Sequence, residues 1–247
     1  MSEVRIIERT KIPSNAIMLF GFPDVGLVGV IAAAHLVEEL ELTEVAYLDS
    51  KLLPPVIVLH EGLPHSSIRI FGKNGVLLAI SETPIPAEIV QPIMHSLIDW
   101  CKSKNVKMMI SLSGLPIQDR QETQELKVFA AGSTPEMLKL AQDKKIEILM
   151  EGYMVGPQAL MLYHSASIGL PALTLLGQCF FNYPDPEAAA AVLKELANIT
   201  GLKVNVEKLL EKGEEIRLKA RDVMKRTQQE MSNMKKTQEF DVPVYVS

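Results

Sequence analysis

The chain has 247 residues and a mass of 27.3 kDa, which fits one large domain or a domain with an appended segment. Hydrophobic residues make up 47% and charged residues 22% of the chain, and these fractions exclude a disordered or collagen-like protein. The net charge of −5 argues against nucleic acid as a partner, because an acidic surface repels phosphates. The sequence has neither the apolar core of a signal peptide nor the ~20 apolar residues of a membrane span. We therefore expect a cytoplasmic protein without a membrane partner, in which Cys101 and Cys179 are reduced.

Strand-like and helix-like segments alternate along the chain. Short apolar runs predict strands at residues 15–20, 45–48, 56–60, 67–71, 76–80, 106–112, 126–130, 146–150 and 172–176. Helical periodicity predicts helices at residues 25–40, 87–104, 134–142, 157–168 and 186–198. The expected N-caps are Asp24, Ser133 or Thr134, and Asp185, and residues 73–75 predict a hairpin turn. This rhythm indicates an α/β fold in three layers, with a mostly parallel sheet covered by helices on both faces.

The C-terminal part has a different composition. Residues 206–238 are strongly charged and helical, and their apolar side chains recur at a spacing of three or four. We interpret the stripe as a packing face for a second copy or for the rest of the chain, and its main members are Leu209, Ile216, Val223 and Met231. The helix cannot continue past Pro243. We therefore divide the chain into an α/β body (1–205), a charged C-terminal helix (206–238) and an extended tail (239–247).

Motifs for catalysis or cofactor binding are missing from the sequence. The Gly-rich segment at residues 21–29 has neither dinucleotide-binding nor P-loop spacing, and we interpret Gly26 and Gly29 as contacts that pack a helix tightly on the sheet. The five histidines lack metal-ligand spacing, and no serine lies in a nucleophile elbow. We therefore assign no catalytic residue, no metal ligand and no cofactor.

Four segments together resemble the proteasome assembly chaperone 2 family. They are GFPDVGLVG at residues 21–29, SGLP at 113–116, EGYMVGP at 151–157 and PDPEAA at 184–189, and the resemblance covers roughly residues 12–225. It implies a phosphorylase/hydrolase-like α/β fold and a cytoplasmic protein. For archaeal relatives, the resemblance implies ring-like homo-oligomers that engage proteasome subunits. The resemblance therefore implies other copies of this chain as partners, together with either proteasome subunits or a related chaperone.

The end of the chain carries a second resemblance. Proteasome binders of this kind often end in a hydrophobic residue, a tyrosine and any third residue, and Val244, Tyr245 and Val246 follow that pattern. Here Ser247 comes after the pattern and moves the terminal carboxylate by ~3.4 Å. In such binders the terminal carboxylate forms an ion pair with a lysine of the partner. A shift of that size breaks the pair, because an ion pair requires an N···O distance of no more than about 4 Å. We predict that Val244–Ser247 bind a partner; the alternative for this tail is a disordered end.

Two functions from different classes remain open. The first is a non-enzymatic proteasome assembly chaperone homologue or adaptor that acts as a homo-oligomer. The alternative is a small-molecule hydrolase or phosphorylase-like enzyme of unknown substrate, since related α/β folds support such reactions. The sequence favours the first function, because it lacks any recognisable nucleophile–base or metal constellation.

Overall fold

The structure is a computed structural model that describes residues 4–235. Apolar strands that are buried on both faces form its centre. The eleven strands within these residues are β1 (Val4–Glu8), β2 (Ile17–Gly21), β3 (Thr43–Ser50), β4 (Ile57–His60), β5 (Leu63–Ser66), β6 (Ile68–Lys73), β7 (Val76–Ser81), β8 (Met108–Pro116), β9 (Val128–Gly132), β10 (Glu147–Ile148) and β11 (Ala172–Cys179). The helices are α1 (Val28–Glu39), α2 (Val90–Ser103), α3 (Pro135–Asp143), α4 (Pro157–Ile168), α5 (Pro186–Thr200), α6 (Glu207–Glu211) and α7 (Gly213–Asn233). Short 3-10 turns at Val25–Leu27 and Ala87–Ile89 precede α1 and α2.

Nine strands form one mixed sheet in the order β1-β3-β6-β7-β2-β8-β11-β9-β10, and β4 and β5 form a separate hairpin. The central strands β7, β2, β8 and β11 are parallel to one another. Antiparallel pairs flank them, with β1, β3 and β6 on one side and β9 on the other. The expectation of a mostly parallel sheet is therefore wrong outside the centre. The connection from β8 returns to the sheet at the same end at which β8 leaves it. Because β11 is parallel to β8, β9 therefore runs antiparallel to β11.

Side chains that alternate along the central strands supply two hydrophobic cores. On one face, Leu19, Leu78 and Ile110 pack with α1, α5 and α7. On the other face, residues such as Met18 and Met109 pack with α2 and α4. Helices thus cover both sides of the sheet, and the predicted three-layer α/β class is confirmed.

Local signals locate most of the predicted elements. The side chain of Thr134 caps α3 and that of Asp185 caps α5, as predicted. The predicted turn joins β6 to β7 through Asn74 and Gly75, which both have positive φ, as a two-residue hairpin turn requires. The sequence analysis did not predict β1, which is one of the two edge strands of the nine-stranded sheet, or β5, which is the second strand of the hairpin.

The predicted C-terminal helix has a break. Its first part, α6, ends at Glu211, and the helix starts again as α7 at Gly213 after Lys212. Met224 and Met231 of α7 belong to the same core as α1 and α5, so the helix packs on the α/β body. None of the helices within residues 4–235 has the length and apolar character needed to cross a membrane.

Candidate functional site

The carboxyl ends of β2, β8 and β11 meet at the sheet edge where α/β proteins usually bind ligands. Here the Asp24 carboxylate accepts hydrogen bonds from Ser113 Oγ at 2.7 Å and from Gln158 Nε2 at 2.9 Å. All three side chains are buried, and Gln158 also donates to the carbonyl of Val155. This Asp24 cluster joins the loop after β2 to β8 and to the first turn of α4.

Asp24 does not act as the helix cap that the sequence analysis predicted. It stands at the N-cap position of the first 3-10 turn, but its side chain makes no capping hydrogen bond. The prediction failed because the chain turns at Gly26 (φ 61°) and Leu27 (φ 50°) before α1 begins, and the carboxylate points to Ser113 instead. Gly29 has the close-packing role expected of it, since a Cβ there would lie 2.3 Å from the carbonyl oxygen of Leu112.

A buried ion pair lies close to the same edge. The guanidinium of Arg120 donates two hydrogen bonds to Asp185, at 2.7 and 2.9 Å. Asp185 is fully buried and also accepts from the backbone N–H groups of Phe180 and Ala188, both at 3.1 Å. The aromatic ring of Phe180 lies under the Arg120 guanidinium at 4.8 Å. Asp185 therefore holds the loop after β8, the end of β11 and the start of α5 together.

A second ion pair fastens α7 to α5. Arg217 donates to both carboxylate oxygens of Glu187 at 2.6 Å. Burial raises the pKa of Glu187, but the hydrogen bonds from Arg217, from the backbone and from Asp185, together with the charge of Arg217, hold that pKa below the ordinary value. Burial lowers the pKa of Arg217, but the hydrogen bonds and negative charges of Glu187 and Glu214 together raise it above its ordinary value. Both members of the Glu187–Arg217 pair are therefore charged at neutral pH.

The C-terminal half of α7 closes the strand ends. Thr227 and Met231 are almost completely buried there. A cavity of only about 10 Å³ remains between α7 and the loops that follow β2 and β7, and it is lined by Phe22, Pro23, Pro84, Ile85, Pro157, Thr227, Glu230, Met231 and Met234. That volume holds about one water molecule. Among the described residues, the part of the strand ends that lies beneath Thr227 and Met231 is therefore closed by α7.

The four stripe residues of the C-terminal helix face the α/β body. Leu209 and Met231 are each 2% exposed, while Ile216 and Val223 are half-buried against the same core. Leu209, Ile216 and Val223 also line a groove of about 640 Å³ between the C-terminal helices and α1. The stripe thus has a partner within its own chain, and the groove leaves part of it accessible. Whether a second copy also binds this stripe stays a prediction.

The β4–β5 hairpin carries the largest exposed apolar side chains of the β-structure. Ile57, Leu59 and Leu63 are 61%, 64% and 63% exposed. The hairpin turns through Glu61 and Gly62, which both have positive φ. Exposed apolar side chains in such a group are typical of a surface that contacts protein. This hairpin surface is the strongest candidate for a docking site on the described part of the chain.

A charged cluster anchors the hairpin surface to the main sheet. His60 of the hairpin lies 2.9 Å from Glu82, and His65 lies 3.2 Å from Glu44. Arg69, which is 8% exposed, lies between them and contacts both carboxylates. The hairpin is therefore held by polar contacts on its inner side, while its apolar side chains face solvent.

The sequence analysis missed these groupings for identifiable reasons. Asp24, Ser113 and Gln158 are far apart in the chain, and only the fold brings them together. The hairpin had a local signal, since Glu61 and Gly62 follow a short apolar run, but only its first strand was predicted because Leu63–Ser66 is not an apolar run. The predicted partner-binding residues Val244, Tyr245, Val246 and Ser247 lie outside the described residues 4–235.

Comparison with known proteins identifies relatives of the whole fold. Pyrococcus furiosus PbaA, an archaeal homolog of proteasome-assembly chaperone, is 33% identical with a TM-score of 0.86, covering 92% of this chain and 98% of PbaA. Pyrococcus furiosus PbaB, an archaeal proteasome activator, shares the fold at 22% identity with a TM-score of 0.76, covering 90% and 99% of the two chains. The uncharacterized protein MJ0106 of Methanocaldococcus jannaschii is 25% identical over 247 residues, all of both chains. The PAC2 family model matches residues 18–224. The chain belongs to the PAC2 family.

Proposed function

We propose that this protein is a non-enzymatic proteasome assembly chaperone homologue. The observation that carries the proposal is the similarity to PbaA, which extends over 92% of this chain at 33% identity. PbaA is itself described as a homolog of proteasome-assembly chaperone. The expected partners are proteasome subunits or a related chaperone, met in the cytoplasm.

The geometry of the strand ends supports a binding role over the enzyme alternative. Small-molecule sites are usually 300–1,000 Å³ in volume; the gap beneath α7 at the ends of β2 and β7 measures about 10 Å³, and the groove of that size beside α1 lies apart from the Asp24 cluster, none of whose members lines it. The Asp24 carboxylate is engaged by Ser113 and Gln158 rather than directed at an open cleft. A substrate could reach the Asp24 cluster from this side only after α7 had moved off the sheet.

We also infer that the protein acts as a homo-oligomer. The exposed apolar hairpin surface and the groove beside Ile216 and Val223 provide apolar area that a neighbouring copy can cover. An oligomer would present several tails at once, and such multivalency raises avidity by ~10²–10⁴ over a single weak contact.

The tail is the part of the proposal that substitutions test most directly. We expect Val244–Ser247 to contact a proteasome α ring, with Tyr245 supplying the ring contact. Shortening the chain to residue 246 should raise the affinity at least tenfold, because a charge-assisted hydrogen bond of about 1.5–3 kcal/mol is regained. Tyr245→Ala in the shortened chain should remove that gain.

Surface plasmon resonance on immobilised proteasome α subunits measures these affinities. The same two changes, removal of Ser247 and its combination with Tyr245→Ala, made in a monomeric control protein fused to residues 236–247, separate the tail's own affinity from avidity. Equal binding by the wild type, the shortened chain and its Tyr245→Ala variant would contradict a role for the tail. Absence of binding by all three would contradict the proteasome proposal itself.

A further inference from the structure

The outer strand of the hairpin surface has an open backbone edge. Among residues 4–235, β4 pairs only with β5, and the closing pair of this hairpin is His60 with Leu63. In a two-residue hairpin the closing pair is hydrogen-bonded, and hydrogen-bonded and non-hydrogen-bonded pairs alternate from there. The N–H and C=O groups of Ile57 and Leu59 therefore point away from β5. Pro64, which has no N–H, lies opposite Leu59 at a non-hydrogen-bonded position, in agreement with this alternation.

The same strand leaves its apolar side chains uncovered. Ile57 and Leu59 are two residues apart, so their side chains lie on one face of β4, and both are more than 60% exposed. Natural sheets protect an open edge with charged side chains, prolines or bulges, and residues 56–59 have none of these. A two-stranded hairpin is at best marginally stable alone. A further strand at this edge would therefore supply both hydrogen bonds and apolar cover.

The sequence of β4 is complementary to itself in the antiparallel direction. When Val58 lies opposite Val58 of a second copy, Ile57 of each copy lies opposite Leu59 of the other. These two residues carry the outward N–H and C=O groups, so each such pair exchanges both of its N–H···O bonds. Their side chains then form one apolar cluster on a common face of the joined strands. No like charges meet across the two-fold axis, since residues 56–59 are uncharged.

The residues on either side of the strand fix this register. Outward-facing positions alternate along β4, so the two strands can slip only in steps that keep such positions opposite each other. A slip in one direction brings Pro55, which has no N–H, into the ladder. A slip in the other direction brings in Glu61, which has a positive φ and belongs to the turn. The register with Val58 on the axis is therefore the one that uses strand residues alone.

We propose that β4 of one copy pairs antiparallel with β4 of a second copy about a two-fold axis at Val58, so that the two hairpins form one continuous sheet. The contact is isologous, because the same strand serves both copies. The proposal rests on the inferred homo-oligomer, for which it names the strand that joins two copies. It requires no proteasome subunit.

Disulfide cross-linking of the full chain tests the register. Val58→Cys should form a covalent dimer in non-reducing electrophoresis, because the Cα atoms of a non-hydrogen-bonded pair lie ~4.5 Å apart and a disulfide spans ~4.4–6.8 Å. The native cysteines, Cys101 and Cys179, are both buried and should not react. Val56→Cys is the matched control, since residue 56 of the second copy is displaced by ~13 Å along the strand. It should form the dimer at least about tenfold more slowly.

Charge substitutions on the axis provide a second measurement that involves no thiol. Val58→Asp places two carboxylates directly opposite each other and should raise the dissociation constant for self-association about tenfold or more in sedimentation equilibrium. Val58→Lys should have the same effect. An equimolar mixture of the two variants should associate again, because opposite charges then meet across the axis. This recovery separates a lost contact from misfolding, and circular dichroism verifies that each variant is folded.

Three results would overturn the proposal. They are Val58→Cys chains that stay without a cross-link, a Val56→Cys dimer that forms as fast as the Val58→Cys dimer, and self-association of the Asp and Lys variants equal to that of the wild type. A wild-type oligomer that persists beside any of these results would leave the homo-oligomer standing and remove this contact alone. Failure to bind proteasome α subunits would change none of the three measurements.

Discussion

Replacing Asp185 by asparagine should destabilise the protein strongly, because Asp185 neutralises a charge that the fold has taken out of water. The side chain of Arg120 is only 10% exposed and that of Asp185 is 0% exposed. Asparagine has nearly the same shape and is a good N-cap, so it can still accept from the N–H of Ala188. The substitution therefore removes the negative charge while leaving the start of α5 intact.

The expected cost follows from the geometry of the pair. Breaking a buried ion pair by removing one partner typically costs about 3–5 kcal/mol, because the remaining charge is uncompensated. For a chain of this length, each kcal/mol lowers Tm by roughly 2–4 °C, so we expect a drop of about 6–20 °C. Removing the cation as well should recover part of the loss. The double variant Arg120→Met, Asp185→Asn should therefore be more stable than Asp185→Asn alone.

Urea denaturation followed by circular dichroism measures both free energies of unfolding. The Lys127–Glu147 pair is a matched control, because both side chains are more than half exposed; Glu147→Gln should change the free energy by less than ~1 kcal/mol. A cost below about 1 kcal/mol for Asp185→Asn would refute the reasoning. So would a double variant less stable than the single one, since the burial of an unpaired Arg120 would then not be the cause.

Three further predictions concern α7 and the first helix. Met231→Ala should lower the free energy of unfolding by about 2–3 kcal/mol in urea titrations, whereas Leu218→Ala, at a 65% exposed position, should cost less than ~0.5 kcal/mol. Because Arg217 holds the pKa of Glu187 below the ordinary value of 4.5, their pair stabilises α7 above that pH and its contribution is lost as the pH falls further. Glu187→Gln should therefore flatten the acid limb of the thermal stability profile, and an unchanged limb would contradict the pairing. Gly29→Ala should lower Tm by several degrees in calorimetry, because its Cβ has no space; a neutral outcome would contradict the close approach of α1 to β8.

Local signals were sufficient to predict most of the sheet and its helices. The runs that became β2, β7, β8 and β11 are mostly apolar because helices cover both faces, and such runs stand out in a sequence. Caps such as Thr134 and Asp185 act within three residues, so they too can be read locally. Strand direction cannot be read locally. Whether β9 is parallel or antiparallel to β11 depends on the end of the sheet at which the connection from β8 re-enters it.

The candidate site depended on information that no local pattern holds. Ser113 reaches Asp24 across 89 positions of the chain, and Gln158 reaches it across 134. The apolar stripe of the C-terminal helix was visible, but its spacing fits a second copy as well as the body of the same chain. The burial of Leu209 and Met231 within the body requires the tertiary structure, because it depends on where α6 and α7 return to the sheet.

Size-exclusion chromatography with light scattering tests the central claim most directly, first on the protein alone and then with proteasome α subunits. We predict that the protein alone elutes as a multiple of its 27.3 kDa chain mass. The mixture should contain a species heavier than either component, and the Asp24→Asn variant, altered only in the closed strand ends, should form it too if it stays folded. A 27.3 kDa monomer that elutes separately from the α subunits would contradict the account.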